Sequence, residues 1–589
     1  MRKVLRVLAI AGTVLVLLGA AIIGPPLLTM WREAGAEAET VARDHLEHKV
    51  AHPGWSFPAT VWSDSVPLEG TSKARLNLEA SARDYAQNCP PVAPGEYCKK
   101  TGEVIPRGGR FPEGAQPPGR DGWKRPLALE PVRLGTLIGP DAEVREHLPL
   151  SEAPPHLVGA IIAAEDERFR DHIGISPIAM LRAAWVNAQA GHYAQGASTL
   201  TMQVVRNLVE RKEKNLERKL REALLAIRFD ALVGKDGILQ IYLDMPYLGQ
   251  AGSQSISGFA AASKHYFGKD VRELDIAESA LLAALLPAPG KLDPNRNPQK
   301  AKERRDFIIG RMALAGWDVG DATSKPLPSG MHPVLPPDLH PAYLQATRLF
   351  LESRLPPEVV TGAGLEVWTA MDVYAQRTTE AVLAEKVRWF QQILGKRGEG
   401  PLQTAGALLD VDTGRLIAVY GGTQEVATDL NRATQAKRQA GSSFKPLVYA
   451  LAFSRPEAEG GPVHSWDLLG NTPRPFENGW SPRNVGGKYN AKSTVAQGLT
   501  WSQNIATTEL LVQLGGPKPL IDLATRFGFD TTNYPQELGL GLGQAEVTPL
   551  EMGRFVTSVA AGGFAIDGSP VIRAVDASGT VRLEGGGHG

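Results

Sequence analysis

The sequence predicts a membrane-anchored chain of several domains, in which a mainly α domain is followed by an α/β domain. Three observations predict it. Val7 to Leu28 is an uncharged run of mostly Leu, Val, Ile, Ala and Gly, long enough to cross a bilayer. Residues 151 to about 315 repeat apolar side chains at helical spacing almost throughout. Beyond a Pro-rich stretch from Pro326 to Pro341 the pattern changes to strands interleaved with helices.

The 589 residues exceed what one core holds, and 43% apolar with 21% charged residues is ordinary globular composition. The 63 basic and 63 acidic residues cancel, so composition gives no case for a nucleic-acid partner. Arg2, Lys3 and Arg6 precede the apolar run, which predicts a single-pass anchor with a cytoplasmic N-terminus and the bulk on the other side. A cleaved signal peptide is the alternative; Pro25-Pro26 and Leu27-Leu28 stand where its small-residue cleavage site belongs. Residues 1–32 are thus assigned to the tip and anchor. Residues 33–150, rich in Pro and Gly, predict a membrane-proximal stalk or small irregular module without chemistry. Cys89 and Cys98 lie close enough for a local disulfide in an oxidising compartment, with two free thiols as the other reading.

Residues 151–320 form the α domain. Pro154-Pro155 can open a helix with the apolar stripe Leu157, Val158, Ile161 and Ile162, placing Glu165 at its end. Behind it Glu165 to Gly174 crowds carboxylates, Phe169 and His172; the ordinary reading of such a stretch is an exposed acidic helix end. Leu216, Leu220, Ala223, Leu224, Ile227 and Ala231 predict another amphipathic helix, on which Arg218 and Glu222 share a face. Arg206, Arg211, Lys212, Lys214, Arg218, Lys219, Arg221 and Arg228 make the region locally basic. Such a run is usually solvated, yet beyond a membrane anchor it can meet a lipid-linked phosphate. Residues 321–400 read as a linker region and 401–589 as the second domain. There Ala405 to Tyr420 predicts two strands turning at Asp412-Thr413-Gly414, with helices around Ser442 to Phe453, Val495 to Leu514 and Leu520 to Phe527.

These residues resemble the class A penicillin-binding proteins, bifunctional enzymes of peptidoglycan synthesis. Glu165-Asp166-x-x-Phe169-x-x-His172-x-Gly174 looks like the first signature of the family 51 glycosyltransferases, and Gly196 to Gln203 the second. Arg218-Lys219-Leu220-Arg221-Glu222 resembles the third, Lys235 to Leu243 the fourth and Glu278 to Ala283 the fifth. Ser176, Met202 and Asp244 depart from the usual residues, which bears on substrate contacts more than on chemistry; the Thr201-Met202-Gln203 form resembles the C-type branch. The resemblance implies a lysozyme-like, mainly α glycosyltransferase domain that polymerises lipid II with inversion at the anomeric carbon and loss of undecaprenyl pyrophosphate, in the bacterial inner membrane with the bulk periplasmic. Glu165 is then the general base. Glu222, Arg206, Arg218 and Lys219, with a divalent metal (Mg or Mn), would stabilise the leaving pyrophosphate. Asp166, Phe169, His172, Ser198, Thr199, Gln203 and Lys235 are implied substrate contacts.

The second domain resembles the penicillin-binding transpeptidase fold. Ser442-x-x-Lys445 puts an amine one helical turn from a hydroxyl, where a neutral lysine can take the serine proton. Ser502-Gln503-Asn504 supplies the family's Ser-x-Asn, preceded by Pro482-x-Asn484. The Lys-Thr/Ser-Gly element expected after Asn504 does not occur there, and Lys100-Thr101-Gly102 lies in the wrong region. The expectation is therefore a glycosyltransferase with a truncated transpeptidase domain, β-lactams at Ser442 and cell-wall synthesis proteins as further partners. A fully bifunctional enzyme and a non-catalytic cell-wall scaffold are the alternatives. A lysozyme-like hydrolase is disfavoured by the ordered signatures and the basic helix.

Overall fold

The structure is a computed structural model that describes residues 26, 28–43, 57–116, 128–139, 143–190, 198–209, 216–251, 254–335, 337–394, 402–422, 430–457 and 460–585. The predicted span therefore lies outside the described residues except for Pro26 and Leu28. No helix among the described residues is long and apolar enough to cross a membrane.

The α domain is built around helix Pro155–Glu165, opened by a proline at its first position. Its alanines Ala160, Ala163 and Ala164 meet those of helix Ile276–Leu285 and the apolar face of Pro298–Leu314 in one cluster. A reciprocal capping box starts Ile276–Leu285, with Glu278 N–H to Asp275 and Asp275 N–H to Glu278 both at 2.9 Å. Helix Leu200–Leu208 packs on Leu216–Asp244, which kinks at Gly234. Ahead of that kink the buried side chains among the described residues are Ala223, Leu225, Ala226 and Phe229, while Leu220 and Ala231, expected in the stripe, are exposed. The face turns because a third element covers it: helix 28–43 inserts Ala34, Ala38 and Ala42 into the same core as Val205, Leu208 and Phe229.

The second region has two cores. A five-stranded sheet runs in the order Val581–Glu584, Val571–Val575, Glu366–Thr369, Ala59–Trp62, Arg133–Leu137. Only the Ala59–Trp62 and Glu366–Thr369 pair is parallel, with Thr60 opposite Glu366. This corrects two expectations. Residues 33–150 are no detached stalk, since two of their strands complete this sheet, and 321–400 is no mere linker, since it supplies the central strand Glu366–Thr369 and helices Pro341–Glu352 and Val373–Leu394. Strands of four or five residues leave little alternation to read, and the partner of Ala59–Trp62 in the parallel pair lies about 300 positions on. Cys89 and Cys98 are disulfide-bonded. The second core is helical, built from Lys445–Phe453, Asn504–Gln513 and Pro517–Arg526. The predicted hairpin is present as Gly406–Leu409 and Leu416–Tyr420. Its turn is held by Asp410, which accepts from the Thr413 amide and hydroxyl at 2.7 Å each.

Candidate active sites

At the end of helix Pro155–Glu165 the backbone leaves helical space at Asp166, and the two adjacent carboxylates take different partners. Asp166 is buried and accepts from Leu200 N–H (3.1 Å) and from His172 Nε2 (2.9 Å). His172 Nδ1 in turn accepts from Gly174 N–H (3.2 Å), which assigns the imidazole proton to Nε2. Thr199 caps helix Leu200–Leu208, accepting from Met202 N–H (3.2 Å) and donating to Gly174 O (2.6 Å). Gly174 has φ +91, and a Cβ there would lie 2.3 Å from Ala226 O. The first two motifs are thereby stitched together, directly against the helix that carries the third.

Glu165 faces the other way. Its Oε2 accepts from Gln203 Nε2 at 2.7 Å, and Gln203 Oε1 accepts from the Tyr242 hydroxyl at 3.3 Å. Burial, followed by the Glu165 charge, holds the Tyr242 hydroxyl well above the ordinary phenol range, so it stays a donor. The donor chain from Tyr242 through Gln203 thus points an amide N–H at Glu165.

One turn beyond Gln203 on the same helix, Arg206 lines a cleft with Arg218, Arg221, Glu222, Glu37 and the apolar Val205, Val209 and Leu225. Arg218 and Glu222 pair at 3.4 Å, as their spacing predicts. Guanidinium groups against an apolar wall suit a diphosphate. For Mg or Mn the donor set does not fit by itself: Glu222 is engaged by Arg218, and among the described residues no three His, Cys, Asp or Glu cluster to hold a metal. Ser198 and Lys219 are exposed. Gly196, Ala197, Arg211, Lys212 and Lys214 lie outside the described residues.

In the second domain a 3-10 turn, Gly441–Phe444, leads into helix Lys445–Phe453. Ser442 is exposed, whereas the Ser443 hydroxyl donates to Ala440 O (2.6 Å). Lys445 is buried, and burial lowers its ammonium to a pKa of about 8. It donates to Ser502 O (2.6 Å), Ser502 Oγ (3.0 Å) and Asn504 Oδ1 (2.6 Å). These bonds go across to the Ser-x-Asn element, where Ser502 and Asn504 take the ammonium's three protons. Ser502 has φ +51, a left-handed backbone rare for a non-glycine residue. Asn484 caps helix Asn504–Gln513, accepting from the amides of Asn504 (2.9 Å) and Ile505 (3.1 Å), and donates to Asn471 Oδ1 (2.8 Å). Gly543 passes under the nucleophile turn; with φ +82, a Cβ there would meet Gly441 O at 1.9 Å.

Residues 132–313 match the Transglycosylase family and residues 404–571 the Penicillin binding protein transpeptidase domain. Penicillin-binding protein 1B of Vibrio cholerae is 30% identical over 561 residues, covering 90% of this chain and 71% of that protein. The chain belongs to the class A, bifunctional penicillin-binding proteins. Penicillin-binding protein 1B of Escherichia coli is also 30% identical, over 90% of this chain and 65% of that protein. The solved structure of penicillin-binding protein 1A from Haemophilus influenzae covers 77% of this chain and 70% of that one at 19% identity, with a TM-score of 0.47.

Within this penicillin-binding protein several of the implied substrate contacts have partners inside the fold. Phe169 is fully buried, edge-on to His172 at 6.1 Å, with the Lys235 ammonium 4.7 Å from its ring centroid. Lys235 also binds Asp230 (2.6 Å), which accepts from Thr201 (3.0 Å). Asp166, His172 and Thr199 hold the loop as described above. The three departures are likewise tied into the fold. Ser176 accepts from Ala179 N–H (3.3 Å) at the start of helix Pro177–Ala190, Met202 sits in the core, and buried Asp244 binds Leu148 N–H (2.9 Å) and His147 (2.7 Å). Sequence reasoning missed the site roles of Tyr242, Arg221, Glu37, Asn471 and Gly543. The Gly539-x-Gly541-x-Gly543 alternation and the places of Arg221 in the third motif and Tyr242 in the fourth offered a signal.

Proposed function

We propose that this protein is a membrane-anchored peptidoglycan glycosyltransferase that polymerises lipid II into glycan strands. The observation that carries the reading is the Glu165 carboxylate, oriented by Gln203 and Tyr242, which lie on the same two helices as the cleft arginines. Glu165 takes the proton from the acceptor's 4-hydroxyl as that oxygen attacks the donor's anomeric carbon, inverting it. The C–O bond to the pyrophosphate breaks, and the departing charge is met by Arg206, Arg218 and Arg221 without protonation. Glu222 holds Arg218 in place. Ile178, Leu181 and Trp185 stand exposed at helical spacing on Pro177–Ala190, which supports a lipid-held substrate and a bilayer beside the domain. The apolar run Val7–Leu28 supports a single-pass anchor, and Thr201-Met202-Gln203 a C-type affinity.

Glu165→Gln is expected to lower polymerisation of lipid II about 10²- to 10⁴-fold, the weight of a general base, with the fold intact by circular dichroism. Wild-type rates in that variant sink the assignment.

For the second domain the incomplete-transpeptidase reading expects labelled penicillin to react only weakly at Ser442. Strong labelling that disappears in Ser442→Ala favours the fully bifunctional reading instead, which the assembled Lys445, Ser502 and Asn504 supports.

A further inference from the structure

Helix 28–43 begins where the predicted span ends and does not stand free. Ala34 and Ala38 are wholly buried in the α-domain core, and Trp31 lies under Arg228, whose guanidinium carbon is 4.3 Å from its ring centroid. Gly35 makes that approach feasible, since a Cβ there would sit 3.3 Å from Arg228 Nε. Glu33 forms an ion pair with Arg221, and one turn on, Glu37 lines the same cleft as Arg206, Arg218, Arg221 and Glu222. Roughly 14 Å of helix separates Leu28 from Glu37 at 1.5 Å per residue.

We propose that Glu37 is a positioning residue of the glycosyltransferase: a carboxylate brought from the anchor helix that balances the cleft arginines while the cleft is empty and gives way to the diphosphate of the lipid-linked substrate. The argument is electrostatic. Arg206, Arg218 and Arg221 line one cleft with Val205, Val209 and Leu225, so three like charges stand close together. Glu222 and Glu33 each engage one arginine. Glu37 adds a third negative charge to the same space. An entering diphosphate brings its own anionic charge and must compete with it, so Glu37 weakens ground-state binding and eases release of the diphosphate product. Because Glu37 rides on the helix that continues the predicted span, the height of the cleft above the bilayer is fixed by the same element.

The proposal rests on the glycosyltransferase reading, and one experiment separates the two. Lipid II polymerisation by the full chain is measured in detergent micelles with inorganic diphosphate as competing probe. Glu37→Gln is expected to lower both KM and the diphosphate inhibition constant about two- to five-fold, the size of one partly exposed ion pair. The difference should shrink as salt rises, and Glu39→Gln, on an exposed position of the same helix, should change neither. Unchanged constants in Glu37→Gln, or a KM raised together with a fall in Tm, overturn the proposal. If the wild-type chain polymerises nothing, or Glu165→Gln polymerises at the wild-type rate, the underlying reading fails and takes the proposal with it. An active wild type, a dead Glu165→Gln and an unaltered Glu37→Gln remove the role of Glu37 alone.

Discussion

A carboxylate and an amine do the proposed chemistry, and each depends on the hydrogen bonds around it. Glu165 is aimed by Gln203, whose amide orientation is set by Tyr242. Gln203→Leu leaves Glu165 without its donor and is expected to reduce kcat about tenfold with a smaller change in KM, read in the same polymerisation assay; a change confined to KM would instead mark Gln203 as a substrate contact. Lys445 titrates near 8 because it is buried. Its neutral form gains a lone pair as pH rises through that value, so the rate of penicillin reaction at Ser442 should climb with pH to a plateau above about 8, and a flat profile from pH 6 to 9 counts against Lys445 as the base. The linkage has a definite sign. The pKa is lower in the folded than in the unfolded chain, so between about 8 and the ordinary lysine range near 10.4 the unfolded state binds more protons. The contribution of Lys445 to stability therefore rises with pH across that window, and the burial penalty is fully present below it.

At the level of single elements, the helices and their ends decide whether these groups meet. The start of Pro155–Glu165 was legible from Pro154-Pro155, and the Ser442/Lys445 spacing from four residues of sequence. The caps were not, because Asn484 and Asn504 are twenty positions apart and join only through backbone amides. Asn484→Ala is expected to cost about 1–2 kcal/mol of stability through the lost cap of Asn504–Gln513, measured by denaturant unfolding. It should also slow reaction at Ser442, because Asn504 Oδ1 is a partner of Lys445. Gly174→Ala has no room beside Ala226 O and no favourable backbone well at φ +91. A loss of about 1–3 kcal/mol is expected, with glycosyltransferase activity falling as the Thr199 and His172 contacts shift. The rotated face of Leu216–Asp244 has the same lesson in reverse: periodicity identified a helix but not which neighbours would cover it.

Across the whole molecule, the five-stranded sheet ties distant parts of the chain into one unit. Ala59–Trp62 lies between Glu366–Thr369 and Arg133–Leu137, so deletion of residues 57–139 strips a strand pair from a core that includes Val367 and Val571. The deleted protein is expected to lose cooperative unfolding of the second domain; a single sharp transition at the wild-type Tm would show that the strands are dispensable. The sequence by itself determined the helical domain, the order of the motifs, the candidate nucleophile and base, and the family, because those reside in local spacing and residue type. Only the tertiary structure decided which motif residues come together and what they bond, that the Pro- and Gly-rich region completes a sheet, and that helix 28–43 brings Glu37 to the arginine cleft. Those outcomes depend on contacts between segments far apart in the chain, and burial, not residue type, sorts a scaffold carboxylate such as Asp166 from a working one such as Glu165.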